Sequence, residues 1–425
     1  MASFFRIVAS AACVLFAHGA HAQEKRACSA QVDRENLIQC ALEASLATRA
    51  EEASLQATRG RRTAAGVLLP SNPVLALSGA RRTLDGGAQT TLNWSAELSQ
   101  ELEIAGQRGA RSRAADAELE AQKQRVLLSK RDTATAAWTA YFEAIAAKRE
   151  RELAEKLLHV SQRMSAVARG KAERGLIATV DADVVDAATV RVLQAKLAAT
   201  RRWAIATTEL SALLGRDATR PVTRVDGELS PLGGAAATAA PVPSDDRPEA
   251  RLLADEQRAL SARADTFRRA RVPNPTLSVF AQNDGFDEHV YGLGIAIPIP
   301  LPSPLGRTNA GEIAELEALG QRVQVERARL ERALGREVAT ATAELQAHRD
   351  AVAALTPDMV ERAERSLTDL SDAVDTGRLS VRDALIAEQA LIELLQTNLS
   401  ERLELCLASV RLARALGRPL EAGEQ

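Results

Sequence analysis

Few side chains in this sequence stand where they could do chemistry. His159, His289 and His348 lie far apart, and none has a cysteine or a second histidine at metal-ligand spacing. They read as solvated or packing residues. Gly285, Gly292 and Gly294 sit in strand-like and loop-like sequence rather than in a phosphate cradle, and no nucleophile has a base at motif spacing. Catalysis therefore has no motif behind it, and neither a cofactor nor a metal is expected. What remains is a set of carboxylates around two glycines. Asp181 follows Gly175, Asp383 follows Gly377, and Asp369, Asp372 and Asp375 precede the second glycine. Glycine suits the left-handed position that ends a helix. Ser380-Val-Arg-Asp383 has the spacing of a capping box, with Asp in place of the usual Glu, and Thr179 is placed to cap in the first set. The plain role of each aspartate is thus to cap a helix or to lie on a solvated face.

The cysteines depend on the compartment. Arg6, the apolar run Ile7 to Ala17 and the small-x-small triplet Ala20-His21-Ala22 form an export signal over residues 1–22, cleaved before Gln23. Cys13 leaves with it. In an oxidising compartment Cys28 and Cys40 are placed to bridge, with free or buried thiols as the competing reading, and Cys406 is left over as a small apolar residue on a helix face. Cys28 follows Lys25-Arg26-Ala27, which is no lipoprotein box, so no lipid anchor is expected.

Beyond the signal no apolar stretch reaches the ~20 residues of a spanning helix. A chain of this kind crosses a membrane only as strands of a closed barrel. The formal net charge is −2 with both signs interspersed, so no nucleic-acid partner is expected. Aromatic residues are only 3% of the chain, and Ala, Leu, Glu, Arg and Gln dominate, as in long packed helices.

The sequence is written twice. Asn72-Pro73 recurs as Asn274-Pro275, Gly175 as Gly377, and Leu214-Gly215-Arg216 as Leu416-Gly417-Arg418, each at an offset of 202. Asp181/Asp383, Ala188/Ala390, Gln194/Gln396 and Leu197/Leu399 keep the same register. The first copy spans 23–215 and the second 249–425, joined by an Ala/Gly/Pro-rich linker over 216–248. Each copy predicts a helix (33–68 and 247–271), a strand pair (73–100 and 275–300), a very long helix (107–169 and 308–374) and a return helix (179–215 and 380–417). At 1.5 Å per residue a helix of some 60 residues reaches about 90–100 Å, far beyond a globular-domain helix.

The strand pairs alternate with period two. Leu92, Trp94, Ala96 and Leu98 share one face while Asn93, Ser95 and Glu97 share the other; Tyr291, Leu293, Ile295 and Ile297 alternate with Val290, Gly292, Gly294 and Ala296. A barrel strand needs such a pattern, with Trp94 and Tyr291 as interfacial anchors. An amphipathic hairpin on a soluble core satisfies it equally. Four strands cannot close a barrel, so a barrel requires several chains. Prolines 298, 300, 302 and 304 end the ladder where strand must give way to helix.

These residues resemble the TolC family, and within it the CzcC-type branch of heavy-metal efflux. Glu97-Leu-Ser-Gln100-Glu-Leu-Glu-Ile-Ala-Gly106-Gln-Arg108 is similar to that branch's strand-to-helix passage. Pro273-Asn274-Pro275 and Ile297-Pro-Ile-Pro-Leu-Pro with Gly306-Arg307 and Gly311-Glu312-Ile313 resemble its second strand pair and exit. Gly175-Leu-Ile-Ala-Thr-Val-Asp181 and Gly377-Arg-Leu-Ser-Val-Arg-Asp383 resemble its periplasmic tip turns. The likeness covers essentially the whole mature chain. It implies a mainly α fold with a small β part: duplicated long helical hairpins in a periplasmic α-barrel, and four strands per chain in a trimeric twelve-stranded outer-membrane β-barrel. It implies a passive duct in outer-membrane lipid, fed by an inner-membrane pump of the RND type through a periplasmic adaptor (membrane fusion protein), and exporting heavy-metal cations. A duct for drugs or for protein secretion keeps the same fold. A periplasmic coiled-coil adaptor is the reading of another class, disfavoured by two hairpins and two strand pairs in one chain. The family constricts its pore with acidic residues at the tip of the return helix. Asp383 falls on the first such position, whereas the next is Ile386. Asp181, Asp369, Asp372 and Asp375 are the other carboxylates placed to supply acidic rings near Gly175 and Gly377.

Overall fold

The structure, a computed structural model, describes residues 31–83, 90–217, 219, 222, 224–233, 241–283, 288–302, 304–306, 308–418 and 420. The export signal and Cys28 lie outside these residues. Cys40 carries a disulfide, and Cys406 is a free, buried thiol.

In the first copy a short strand β1 (Gln31–Val32) leads into α1 (Leu37–Ala44) and α2 (Leu46–Ala65), then the hairpin β2 (Val74–Thr83) and β3 (Thr90–Glu101), then α3 (Gln107–Glu173) and α4 (Thr179–Leu213). The linker contributes β4 (Arg224–Val225), parallel to β1. The second copy gives α5 (Pro248–Arg269), the hairpin β5 (Thr276–Asn283) and β6 (His289–Ala296), α6 (Ala310–Ala354), α7 (Pro357–Asp375) and α8 (Val381–Ala415). Near the sheet, α2, α3, α5 and α6 lie side by side in that order; further along, α4 and α8 return against α3. The 67 residues of α3 make it roughly 100 Å long. Among the described residues no helix is long and apolar enough to cross a membrane.

The structure differs from the sequence expectation at three helix boundaries. The first helix, expected unbroken over 33–68, divides at Ser45, whose extended backbone lets its hydroxyl accept from Thr48 N–H and start α2. The long helix expected over 308–374 divides at Leu355–Thr356. Thr356 is extended and caps Met359 N–H, and Pro357, which lacks an N–H and clashes with a preceding turn, opens α7 at the position it tolerates. The equivalent positions of the first copy are Ala154 and Glu155, and α3 runs straight through them. Thr179 does not cap α4; Ala178 holds that position without a side-chain bond.

Three aromatic residues of α3 form the hub of the core. Trp138, Tyr141 and Phe142 are fully buried with parts of α1, α4, α8 and the linker. Their polar atoms fasten the chain's irregular segments: Trp138 Nε1 donates to Leu420 O at 2.7 Å and Tyr141 Oη to Asp226 O at 2.8 Å, while Lys148 Nζ on the same helix reaches Val225 O at 3.1 Å. Arg247, buried at the start of α5, donates to the carbonyls of Ala415 and Arg414 at the end of α8. A second core joins Met164 and Ala168 of α3 to Val185 of α4, Leu367 and Val374 of α7, and Ala384 of α8. It packs both hairpins into one bundle at the end remote from the sheet.

Candidate functional site: sheet faces and helical tips

The four strands form one antiparallel sheet in the order β2-β3-β5-β6. Its register sorts side chains without exception in the middle rows. Leu77, Ala96, Ala281 and Tyr291 form one row and Leu75, Leu98, Val279 and Leu293 the next, with Gln100, Leu277 and Ile295 beyond. Trp94 stands one row the other way, between Gly79 and Asn283. All are on one face. The opposite face holds Ser78, Ser95, Glu97, Ser278, Gln282, Gly292 and Gly294. Phe280, which shares this face with Val74 and Val290, lies over Gly292, where a Cβ would fall 2.3 Å from the ring.

The apolar face is bare. Leu293 is 83% exposed, Tyr291 77% and Trp94 44%, with Leu75, Leu77, Leu92, Leu98, Val279 and Ile295 exposed as well. A contiguous patch of this kind is incompatible with a water-facing surface and demands a partner. The ten residues of β2, tilted by about 40° at ~3.4 Å each, rise roughly 26 Å, close to the apolar band of an outer-membrane barrel. Both outer strands, β2 and β6, leave an edge unpaired within the described residues. The sheet is tied to the helices by Asn274, the asparagine of the repeated Asn-Pro. It donates to Glu101 at 2.7 Å and accepts from Gln107 at 2.8 Å, linking the exit of one copy to the strand of the other.

At the far end Gly175 and Gly377 adopt left-handed backbone, with φ of 73° and 71°. Asp383 N–H donates to Ser380 Oγ at 3.1 Å, and that hydroxyl donates to the Asp383 carboxylate at 2.6 Å. Asp383 is therefore a capping residue with an exposed carboxylate. Asp181, Asp369 and Asp375 are also exposed. Asp372 is committed to Arg163 of α3 at 2.7 Å, and Lys171 of α3 donates to Val374 O beside it, so α7 is fastened to α3.

Sequence reasoning missed one group here. Glu388 of α8 is only 3% exposed, and its Oε1 has no hydrogen-bond partner. Burial raises its pKa, against a lowering contribution from the Ser161 hydroxyl of α3. The equivalent residue of the first copy is Asp186, held below the ordinary carboxylate range by hydrogen bonds from Arg169 and Ser165; Arg169 lies 2.6 Å away. At the positions equivalent to Arg169 and Ser165 the second copy has Ser371 and Leu367, so its carboxylate has no cation. The only signal was this comparison between copies. The sign follows from the raised value. Neutral Glu388 costs nothing at low pH, and the penalty grows as pH climbs past the ordinary carboxylate range to the group's own higher pKa. Glu388→Gln is expected to raise the thermal midpoint at pH 8 and to leave it close to wild type at pH 4. Circular dichroism melts at both pH values check this, and equal shifts at both would refute it.

Solved structures share this architecture over nearly its full length. CusC, in a study of folding and transmembrane channel formation, superposes with a TM-score of 0.72 at 19% identity, over 90% of this chain and 92% of that one. The outer membrane protein VceC of Vibrio cholerae gives 0.74 at 20%, over 91% and 96%. The CmeC outer membrane channel of Campylobacter jejuni gives 0.73 at 13%, over 92% and 86%. At such identities the likeness is one of fold. No curated protein sequence matches the chain. The family model described as Outer membrane efflux protein matches residues 37–216, the first copy from α1 to the glycine turn after α4. Over these residues the chain is similar to the outer membrane efflux protein family. The likeness is to outer-membrane efflux channel subunits, which are not enzymes.

Proposed function

We propose that three copies of this chain close into a duct: a twelve-stranded barrel in the outer membrane, continued by a tube of helices through the periplasm. The observation that carries this is the four-stranded sheet with one exposed apolar face and two open edges. Because β2, β3, β5 and β6 alternate in direction, β6 of one copy meets β2 of the next antiparallel, and the contact repeats head to tail until the ring closes. Two copies would give eight strands, whose interior side chains fill. Three are the smallest number that leaves a bore, lined by the serines, glycines and Glu97 of the polar face. Trp94 and Tyr291 serve as anchors on the lipid side.

The duct is passive. A periplasmic adaptor and an inner-membrane pump of the RND type supply energy and substrate choice, and the cargo is heavy-metal cations, the reading to which the CzcC-like passages lean. Three copies of Asp383 around a narrow axis would attract cations and repel anions, with the carboxylates at 181, 369 and 375 adding to the same field.

Planar-bilayer conductance of the purified mature protein, with its mass in detergent, tests the duct. A trimer forming cation-selective pores is expected; a detergent-independent soluble species without conductance would sink it. Asp383→Asn is expected to weaken block by divalent cations, and unchanged block would remove Asp383 from the gate. Cation-selective pores indifferent to Cd²⁺ and Zn²⁺ would favour a drug or protein cargo.

A further inference from the structure

The two strand pairs leave the sheet by different routes. Between β3 and α3 the chain needs five residues, 102–106; this exit exposes one apolar side chain, Ile104, and is tied down: Leu102 N–H donates to Pro275 O, and Glu103 pairs with Arg111. Between β6 and α6 it takes thirteen residues, 297–309. Ile297, Ile299 and Leu301 alternate there with Pro298, Pro300 and Pro302, continuing the period-two pattern of β6, and Leu305 follows. These four apolar residues are between 51% and 83% exposed. The segment is rooted at its helix end. Gly306 N–H donates to Pro302 O at 3.0 Å, a Cβ on Gly306 would fall 2.3 Å from Leu301 O, and Arg271 donates to Thr308 O at 2.9 Å.

We propose that residues 297–302, with Leu305, form a lipid-facing strap, which carries the apolar surface of the barrel past its last ladder pair into the glycerol and upper acyl region of the periplasm-facing leaflet. The proposal rests on the barrel reading above. Its warrant is continuity: the same alternation that exposes Tyr291, Leu293 and Ile295 runs on through Ile297, Ile299 and Leu301. Proline directly after Ile297, Ile299 and Leu301 holds the run extended. It also removes half of the backbone donors that an unpaired strand would otherwise carry into an apolar layer. The strap occurs once per copy of the chain, so a trimer bears three, spaced around the base of the barrel. The partner is phospholipid, engaged by apolar contact and not by a charged head-group pocket.

Spin labels at introduced cysteines in phosphatidylethanolamine–phosphatidylglycerol vesicles test this. Cys406 is fully buried and Cys40 is in a disulfide, so neither should compete for the label. Labels on Ile299→Cys, and on Leu305→Cys as a second position, are expected to collide with oxygen several-fold more often than with a water-soluble nickel chelate. Trp94→Cys reports on the barrel itself. If the label at 94 is in lipid while those at 299 and 305 meet the nickel chelate, the strap proposal falls and the barrel stands. Labels at 299 and 305 shielded from both reagents and coupled to one another would mean that a second copy covers the strap, which also overturns it. A label at 94 in water overturns both.

Discussion

Trp138→Ala is expected to destabilise the protein more than any other single truncation in the helical part, by about 3–5 kcal/mol from the lost side chain and the cavity it leaves. The residue is fully buried among α1, α4, α8 and the linker. Its ring stacks on Phe142 at 5.5 Å, meets Tyr141 edge-on at 5.8 Å and lies under the Arg34 guanidinium at 5.5 Å. Truncation also strands the carbonyl of Leu420, which Trp138 Nε1 caps at 2.7 Å. The loss reaches beyond local packing, because this hub is where both ends of the described chain and the linker come together on α3. Trp138→Phe keeps most of the buried area and loses the bond to Leu420, so it should cost about 1–2 kcal/mol, in the range of one unsatisfied buried polar group. Trp203, only half-buried and with Arg151 over its ring at 5.2 Å, supplies the contrast: Trp203→Ala should cost clearly less than Trp138→Ala. Urea unfolding of the three variants in detergent measures the order. A Trp138→Ala variant as stable as Trp203→Ala would mean that the hub is not what holds the two copies together.

Trp138 was not singled out from the sequence, and the reason is general. The duplication at a fixed offset, the period-two strands and the glycine turns could be read directly because each is a local pattern whose physical requirement acts on near neighbours. Gly175 and Gly377 must take positive φ wherever the helices lie, and Leu92, Trp94, Ala96 and Leu98 share a face in any extended strand. What was missed depends on distant partners or on a residue present in one copy only. A Thr-Pro step inside an otherwise helical pattern, at Thr356-Pro357, is a break that propensity alone announces, and the symmetry of the repeat concealed it. Ser45 is the opposite case: at the same offset it matches Arg247, the residue before α5, so the repeat itself marks where α2 begins. Of the carboxylates, nothing in the sequence separates Asp372, which pairs with Arg163, from Asp369 and Asp375; all three are exposed. Glu388 looked like any surface glutamate until α3 was set against it.

Leu293→Arg should prevent membrane assembly altogether. Leu293 lies in the middle of the apolar face, opposite Val279 and in the row of Leu75 and Leu98, with 83% of its surface bare. A charged side chain on the lipid face near the midplane of a barrel costs about 2–4 kcal/mol. In a ring of three copies the same substitution is present three times, for a total of roughly 6–12 kcal/mol, as much as the whole stability of many folded domains. The side chain has no water-filled route on that face, and β6 is an edge strand, so its register is fixed only by β5 within the chain and by the neighbouring copy. Gln282→Arg separates charge from position. Gln282 pairs with Ser95 and Val290 on the opposite, polar face, where an extra cation meets water in the bore and assembly should proceed as in wild type. Heat-modifiable migration of the trimer and recovery in the outer-membrane fraction report both variants. If Leu293→Arg assembled as well as Gln282→Arg, the exposed leucine face would not be the lipid face, and the sheet would have to find its cover in another protein.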